Sequence, residues 1–167
     1  MIEYRLSKYN PAFRDSRGVY HKDEWTAISD IGKKYASQIF TYEEYYKTES
    51  NYVNVIIDLF KQNEIIDFRV SDLEDYSGVD NEEYFKDIKK LDIKNLTPQL
   101  KIDEIENIIR LGLRELIWLN LVGKNSNCKI IMHFGHDYYV KFNLDHQCRI
   151  NKDVAEKKGL YFEKENR

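Results

Sequence analysis

The sequence predicts an α+β fold: an antiparallel or mixed sheet with a central meander and two main helices packed on one face. The stretch from Glu115 to Asn143 predicts the meander, because two β-rich runs flank the polar loop 123–127 and a second break follows at Gly135-His136. Two stretches with apolar residues three and four positions apart predict the helices. With 167 residues, two Pro and seven Gly, the chain fits a single domain, residues 1–167.

The first 40 residues predict one strand followed by a long loop. Ile2–Tyr9 alternates apolar and polar residues, as a half-buried strand does, and Asn10-Pro11 ends it because proline lacks a backbone donor. Trp25 is predicted to anchor the following loop against the core, and Val19–Ile28 is compatible with short strands. Residues 30–40 fit either a loop or a short helical turn.

The clearest predicted helix begins at Thr41. Thr41 and Glu44 match a capping box, in which each side chain bonds the backbone amide of the other residue, and Asn63 ends the helix. The predicted buried positions of this helix follow its 3.6-residue period. They are Tyr45, Tyr46, Tyr52, Val53, Ile56, Leu59 and Phe60.

Residues 65–70 alternate again and predict a second strand, with Ile66 and Phe68 facing inward. The acidic run 72–87 then predicts a solvated loop, which leads into a short helix near residues 82–90.

The next helix is predicted to start at Thr97-Pro98 or at Asp103, where an aspartate could cap it. A last short helix, capped by Asn151 or Asp153, is predicted to end at Gly159 and to lead into an edge strand.

Inside the meander, Trp118 and Phe134 both lie in runs of β-forming residues, so both are predicted to be largely buried. Cys128 and Cys148 are too few for a disulfide framework and form no CxxC motif, so two free thiols in a cytoplasmic protein are predicted. No apolar run approaches the ~20 residues of a membrane span. The N-terminus lacks the charged and apolar regions of a signal peptide.

The histidines offer two chemical hypotheses. His133, His136 and Asp137 lie within five residues and are metal-capable, but zinc needs further ligands at fixed geometry, so we predict no metal and no other cofactor. The region around His133 and His136, with Tyr138, Lys141 and Arg149, is also compatible with a small hydrolase or nuclease. No nucleophile, phosphate-loop or metalloprotease motif supports that alternative, and a non-enzymatic protein is predicted.

Nucleic-acid binding is weakly supported by the N-terminal segment, which interleaves aromatic residues with arginines. The segment 1–40 carries a net charge of only +2, and the chain has a pI of about 5.9. A nucleic-acid binder usually shows a basic face, so no nucleic-acid partner is predicted.

The acidic segment carries the most functional content. Residues 41–109 have a net charge of −9 within a chain of net charge −3. Acids steer a basic partner towards an encounter and embedded tyrosines anchor it, so this segment predicts a protein-binding surface. The alternative is an ordinary solvated loop. The predicted partner-binding residues are Asp72, Glu74, Asp75, Tyr76, Asp80, Glu82, Glu83 and Tyr84.

Several stretches also resemble a family of small bacterial proteins. They are Tyr4–Pro11, Arg14-Asp15, Gly18–Tyr20, Lys22–Thr26, Ser29–Gly32, Leu113–Glu115 with Trp118, and His133–Tyr139. The family is mostly uncharacterised and is similar to the immunity proteins that accompany bacterial polymorphic toxins. The resemblance implies a non-enzymatic protein that binds and neutralises a cognate toxin in the cytoplasm, and the acidic segment predicts that this partner is a basic toxin domain.

Overall fold

The computed structural model describes residues 1–76, 88 and 100–165. The strands are β1 (Ile2–Ser7), β2 (Lys34–Tyr35), β3 (Gln38–Ile39), β4 (Asp67–Asp75), β5 (Ile117–Lys124), β6 (Lys129–Phe134), β7 (Val140–Leu144) and β8 (Tyr161–Lys164). The helices are α1 (Tyr42–Gln62), α2 (Ile102–Leu113) and α3 (Lys152–Lys157). Six strands form one antiparallel sheet in the order β4-β5-β6-β7-β1-β8, and β2 pairs with β3 in a separate hairpin. The predicted α+β class and the central meander, β5-β6-β7, are confirmed.

One face of the large sheet carries the core. Along β5, β6 and β7 every second side chain is buried, because successive residues of a strand point to opposite faces. Helix α1 packs Phe60 against Phe68 of β4, with ring centroids 5.1 Å apart. Helix α2 approaches the sheet through Gly112, which lies directly against the ring of Phe134. Phe134 is buried, as predicted.

Helix α1 begins as the sequence predicts. The hydroxyl of Thr41 accepts a hydrogen bond from the amide of Glu44 at 3.3 Å, and the Glu44 carboxylate accepts one from the amide of Thr41 at 3.1 Å. Further along α1, the fully buried carboxylate of Glu49 accepts hydrogen bonds from Arg114 at 2.6 and 2.8 Å and from Arg110 at 2.7 Å. This charge-assisted network joins α1 to the end of α2.

The segment between β1 and α1 contains an unpredicted hairpin, β2–β3, where the sequence suggests a loop or a helical turn. Within residues 19–28 no strand forms; Tyr20 makes an isolated bridge with Arg14. Trp25 anchors the segment as predicted, stacking on Phe40 with ring centroids 4.4 Å apart.

Two predicted boundaries are wrong. Helix α2 starts at Ile102, and not at Thr97-Pro98 or with Asp103 as its cap. Its N-terminus is capped by the Glu104 carboxylate, which accepts a hydrogen bond from the amide of Lys101 at 2.7 Å. Ile66 is 82% exposed because β4 begins after it, at Asp67. The acidic run also begins inside β4 and not in a loop, since residues 72–75 belong to that strand.

Trp118 is half-buried, which corrects the prediction that it lies in the core. Its neighbours in β5, Ile117 and Leu119, face the helices, so Trp118 points to the opposite face of the sheet. We call that opposite face the outer face. There the Trp118 ring contacts the His136 ring, with centroids 4.8 Å apart.

Cys128 and Cys148 form a disulfide bond, so the prediction of two free thiols is wrong. The two cysteines lie 20 residues apart, but β6 and β7 pair as a hairpin and bring their open ends together. The amide of Asp145 bonds the carbonyl of Lys129 at 3.0 Å, which fixes this junction. The Cα atoms of the cysteines are 5.4 Å apart, within the usual range for a disulfide.

Candidate functional site at the acidic end of strand β4

Four of the eight predicted partner-binding residues are described, and they lie together. Asp72, Glu74, Asp75 and Tyr76 form the end of β4 and the residue after it, and we call them the acidic strand end. All four are exposed, and Tyr76 is 48% exposed. They lie at the margin of the large sheet, because β4 is its first strand. The other four predicted residues, Asp80, Glu82, Glu83 and Tyr84, lie outside the described residues.

A β-bulge shapes the acidic strand end. Ser71 pairs with Asn120 and Glu74 pairs with Trp118, so β4 contains one more residue than β5 over this interval. Asp72 takes the left-handed backbone conformation, with φ of 53°. Aspartate and asparagine reach this region more easily than most residues other than glycine.

Tyr76 is held in place at both ends. Its backbone amide bonds the carbonyl of Leu116 at 2.9 Å, and its hydroxyl donates to the Glu74 carboxylate at 2.5 Å. The bond to this carboxylate raises the pKa of Tyr76, because the neutral phenol is the form that donates. Tyr76 also lines a cleft of about 170 Å³ together with Ser29 and Glu115. The exposed ring is therefore ordered before any partner arrives.

Asp72 connects the acidic strand end to a row of polar side chains on the outer face. Its carboxylate bonds the Asn120 amide group of β5, and Asn120 bonds the His133 ring of β6. The other ring nitrogen of His133 bonds the Asn143 side chain of β7 at 3.3 Å. Four neighbouring strands thus contribute one side chain each. We call Asp72, Asn120, His133 and Asn143 the polar chain.

Sequence reasoning missed the two asparagines of the polar chain. Alternation along β5 does place Asn120 opposite to the core-facing Leu119 and Leu121, but alternation does not give the pairing between strands. Asn120 becomes the cross-strand neighbour of His133 through the register of the β5–β6 hairpin. Partial burial lowers the pKa of His133, because the charged imidazolium loses water there.

The residues of the predicted hydrolase site are dispersed. Lys141 is the cross-strand partner of His133 on the outer face. Tyr138 is buried on the core side, where its ring contacts the ring of Tyr52 at 5.3 Å. Arg149 lies at the end of α1, where its backbone carbonyl accepts hydrogen bonds from Gln62 and Asn63. In residues 1–76, 88 and 100–165, no three His, Cys, Asp or Glu side chains are grouped to hold a metal ion.

The N-terminal aromatic and basic residues are engaged within the fold. Arg14 donates to the Tyr139 hydroxyl at 3.1 Å and pairs with Glu163 at 3.3 Å. Lys8 is ion-paired with Glu24 at 3.1 Å and lies 4.3 Å from the Trp25 ring centroid. Burial lowers the pKa of Lys8 and Glu24 opposes that effect. These cations are neutralised by carboxylates and do not form a basic face.

No protein-family model, no curated protein and no solved structure matches this chain. Where the chain is described, none of its helices has both the length and the apolar character needed to cross a bilayer.

Proposed function

We propose that this protein is a non-enzymatic, immunity-like binding protein that neutralises a bacterial toxin domain of basic surface. The observation that carries the proposal is the acidic strand end, which presents three exposed acids and one ordered, exposed tyrosine at the margin of the sheet. It belongs to the segment 41–109, whose net charge is −9, whereas the rest of the chain is net positive. The predicted residues Asp80, Glu82, Glu83 and Tyr84 extend the same proposal.

The two kinds of side chain contribute differently to binding. Exposed carboxylates attract a basic surface over a distance of about one Debye length, roughly 8–10 Å at physiological ionic strength, and so raise the rate of encounter. Tyrosine is enriched among the few interface residues that dominate affinity, because it buries a large ring and still satisfies its hydroxyl. Tyr76 loses little conformational entropy on binding, since Glu74 and Leu116 already hold it.

The resemblance to immunity proteins supports the same function and a cytoplasmic location. The Cys128–Cys148 disulfide instead favours a location outside the reducing cytoplasm, because disulfides persist mainly in oxidising environments. Thiol trapping in native cells, followed by mass determination, separates the two: alkylation of both cysteines before reduction indicates a reducing compartment, and alkylation only after reduction an oxidising one.

The proposal is tested by removing charge without changing shape. The variant Asp72→Asn, Glu74→Gln, Asp75→Asn removes three negative charges, and asparagine keeps access to the left-handed conformation at position 72. A control variant removes the same charge from exposed acids elsewhere, at Asp23, Asp58 and Glu156, by the same kind of substitution.

Wild-type protein and both variants are immobilised and exposed to native cell extract, and the captured partner is purified for kinetic measurement. We expect the site variant to associate at least about tenfold more slowly at low salt, with a flatter salt dependence, and the control variant to associate at close to the wild-type rate. Equal slowing of both variants would mean that only net charge matters and would place the interface elsewhere.

A small hydrolase or nuclease using the His133/His136 region remains the second candidate, favoured by one observation. Asn120 orients the His133 ring, and a histidine oriented through its second nitrogen is a common general base. The test is His133→Gln, assayed against single- and double-stranded DNA and RNA. A cleavage activity in the purified wild-type protein that is lost in this variant would favour the enzyme over the inhibitor.

A further inference from the structure

The polar chain has one consistent direction of hydrogen-bond donation. The Asp72 carboxylate can only accept, so the Asn120 nitrogen must face it and the Asn120 oxygen must face His133. The Nδ1 atom of His133 must then carry the proton, and its Nε2 atom accepts from the Asn143 nitrogen. The carboxylate at one end thus fixes the tautomer of a histidine two strands away. Ser71 adds a second donor to the Asp72 carboxylate at 3.1 Å.

The bulge that Asp72 forms sets the direction of every later side chain of β4. Ser71 lies opposite Asn120, and the extra residue allows Leu73 to pack against the core while Glu74 lies opposite Trp118. Because side chains alternate along a strand, loss of the extra residue would reverse the faces of Leu73 and Glu74. The orientation of the acidic strand end therefore depends on a bulge stabilised by the Asn120–Asp72 hydrogen bond.

We propose that Asn120 is a positioning residue for the acidic strand end, and that its hydrogen bond to Asp72 also fixes the tautomer of His133. The structural part of this inference stands alone, whereas its consequence for a partner rests on the proposed function. Bulge geometry at an exposed aspartate costs backbone energy, and a donor from the neighbouring strand offsets part of that cost. In this arrangement the Asn120 side chain, on the outer face, sets the direction in which Glu74 and Tyr76 project.

Other charged groups near His133 influence its protonation. Glu3 of β1 and Asp72 of β4 favour the imidazolium, whereas Lys141 of β7 disfavours it, and burial has the largest effect. The imidazolium would still donate from Nδ1 to Asn120, but its Nε2–H would face the Asn143 nitrogen, so the bond to Asn143 requires neutral His133. The experiment is therefore run at pH 7.5, above the ordinary histidine pKa of 6.5.

The decisive variant is Asn120→Ala, which removes the bonds to Asp72 and to His133 and adds no charge. Asn120→Asp is the second variant: it keeps an acceptor for His133 Nδ1 and removes the donor to Asp72, but it also places a second carboxylate beside Asp72. Asn143→Ala is the matched control, because it removes an asparagine from the same face at the far end of the chain. Asn120 and Asn143 are both only partly buried, on the outer face and away from the core, so the fold is expected to survive each change.

The first measurement needs no partner. Amide hydrogen exchange at Tyr76, which reports its bond to Leu116, is expected to accelerate about tenfold or more in Asn120→Asp and Asn120→Ala and less than about twofold in Asn143→Ala. Imidazole ¹⁵N shifts should show the Nδ1–H tautomer of His133 in the wild type, and Asp72→Ala should change the tautomer ratio. Unchanged Tyr76 exchange in Asn120→Ala would overturn the inference.

The second measurement uses the partner captured in the test of function. Asn120→Ala should raise its dissociation rate about tenfold, and Asn143→Ala should leave that rate within about twofold. If wild-type protein captures no partner while Tyr76 exchange still accelerates, the proposed function fails and the positioning role stands. If a partner binds and Tyr76 exchange does not change, the positioning role fails and the function stands.

Discussion

Gly112 lies where α2 meets the sheet, and replacing it with alanine tests how closely the two pack. A Cβ atom at position 112 would lie 2.5 Å from Cδ2 of Phe134 and closer still to Cε2 and Cζ of the same ring. Ordinary contact between carbon atoms needs about 3.5–4 Å, so the ring or the helix must move by about 1 Å. Phe134 is 6% exposed and lies in the core cluster, so its ring has little room to move.

Two opposing effects set the size of the change in stability. Alanine favours the helix over glycine by about 1 kcal/mol, because glycine has more backbone freedom to lose. Forcing an extra methyl group into a well-packed core costs about 1–3 kcal/mol, and overlap with three ring atoms places Gly112→Ala near the upper value. We therefore expect a net loss of about 1–2 kcal/mol in the free energy of unfolding.

The assay is a double-mutant cycle with Phe134→Ala, measured by urea unfolding. Removing the ring alone should cost about 3–5 kcal/mol. In that background, Gly112→Ala meets no ring and should stabilise the protein by about 1 kcal/mol, so the sign of its effect should reverse. Asn107→Ala, elsewhere on α2, is the control and should be neutral or slightly stabilising in both backgrounds. A Gly112→Ala variant that stabilises the wild-type protein would refute the close packing of α2 on β6.

Four further outcomes are expected. Replacing Cys128 and Cys148 with serine should lower the free energy of unfolding by about 3 kcal/mol, since the disulfide closes a separation of 20 residues, and wild-type protein in reductant should lose the same amount. Glu49→Gln should cost about 3–5 kcal/mol in denaturant unfolding, because it leaves buried arginine without its counter-ion. Trp118→Ala should cost roughly 2 kcal/mol by the same measurement, less than a fully buried tryptophan, because its ring is only partly buried. The pKa of His133 is lower in the folded protein than the 6.5 of an unfolded histidine, so the unfolded chain binds a proton at this residue first as pH falls. The free energy of unfolding should therefore decrease as pH drops below 6.5, and His133→Gln should remove this part of the pH dependence.

The parts of the fold that could be predicted are those set by local chemistry. The capping box at Thr41 needs only residues three apart, and it starts α1 where the sequence places it. The alternation of β5 and β6 likewise predicts which face is buried. Trp118 is predicted to be buried because it lies in a run of β-forming residues, but its position between Ile117 and Leu119 turns it to the outer face.

The parts that could not be predicted depend on pairing between distant segments. Cys128 and Cys148 meet only after β6 and β7 form their hairpin. The β2–β3 turn places Ala36 and Ser37 at positive φ, without the glycine or asparagine that normally marks such a turn. The bulge at Asp72 also lacks a glycine signal. The acids and the tyrosine of the acidic strand end stand out in the sequence by charge and residue type. Their geometry depends on the register of β4 on β5, which the sequence does not give.

The charges of the acidic strand end and the positioning by Asn120 are expected to affect different rate constants of partner binding. If both belong to one interface, the same partner must show both effects. The charges of the acidic strand end act before contact, and their loss slows association in a salt-dependent way. The bulge and Tyr76 act after contact, and their disturbance by Asn120→Ala hastens dissociation while the charge of the encounter surface stays the same. A partner that responds to the charge variant in association and to Asn120→Ala in dissociation must contact this end of β4. A partner that responds to neither binds another surface, and the segment from Arg14 to Trp25 is then the next to replace.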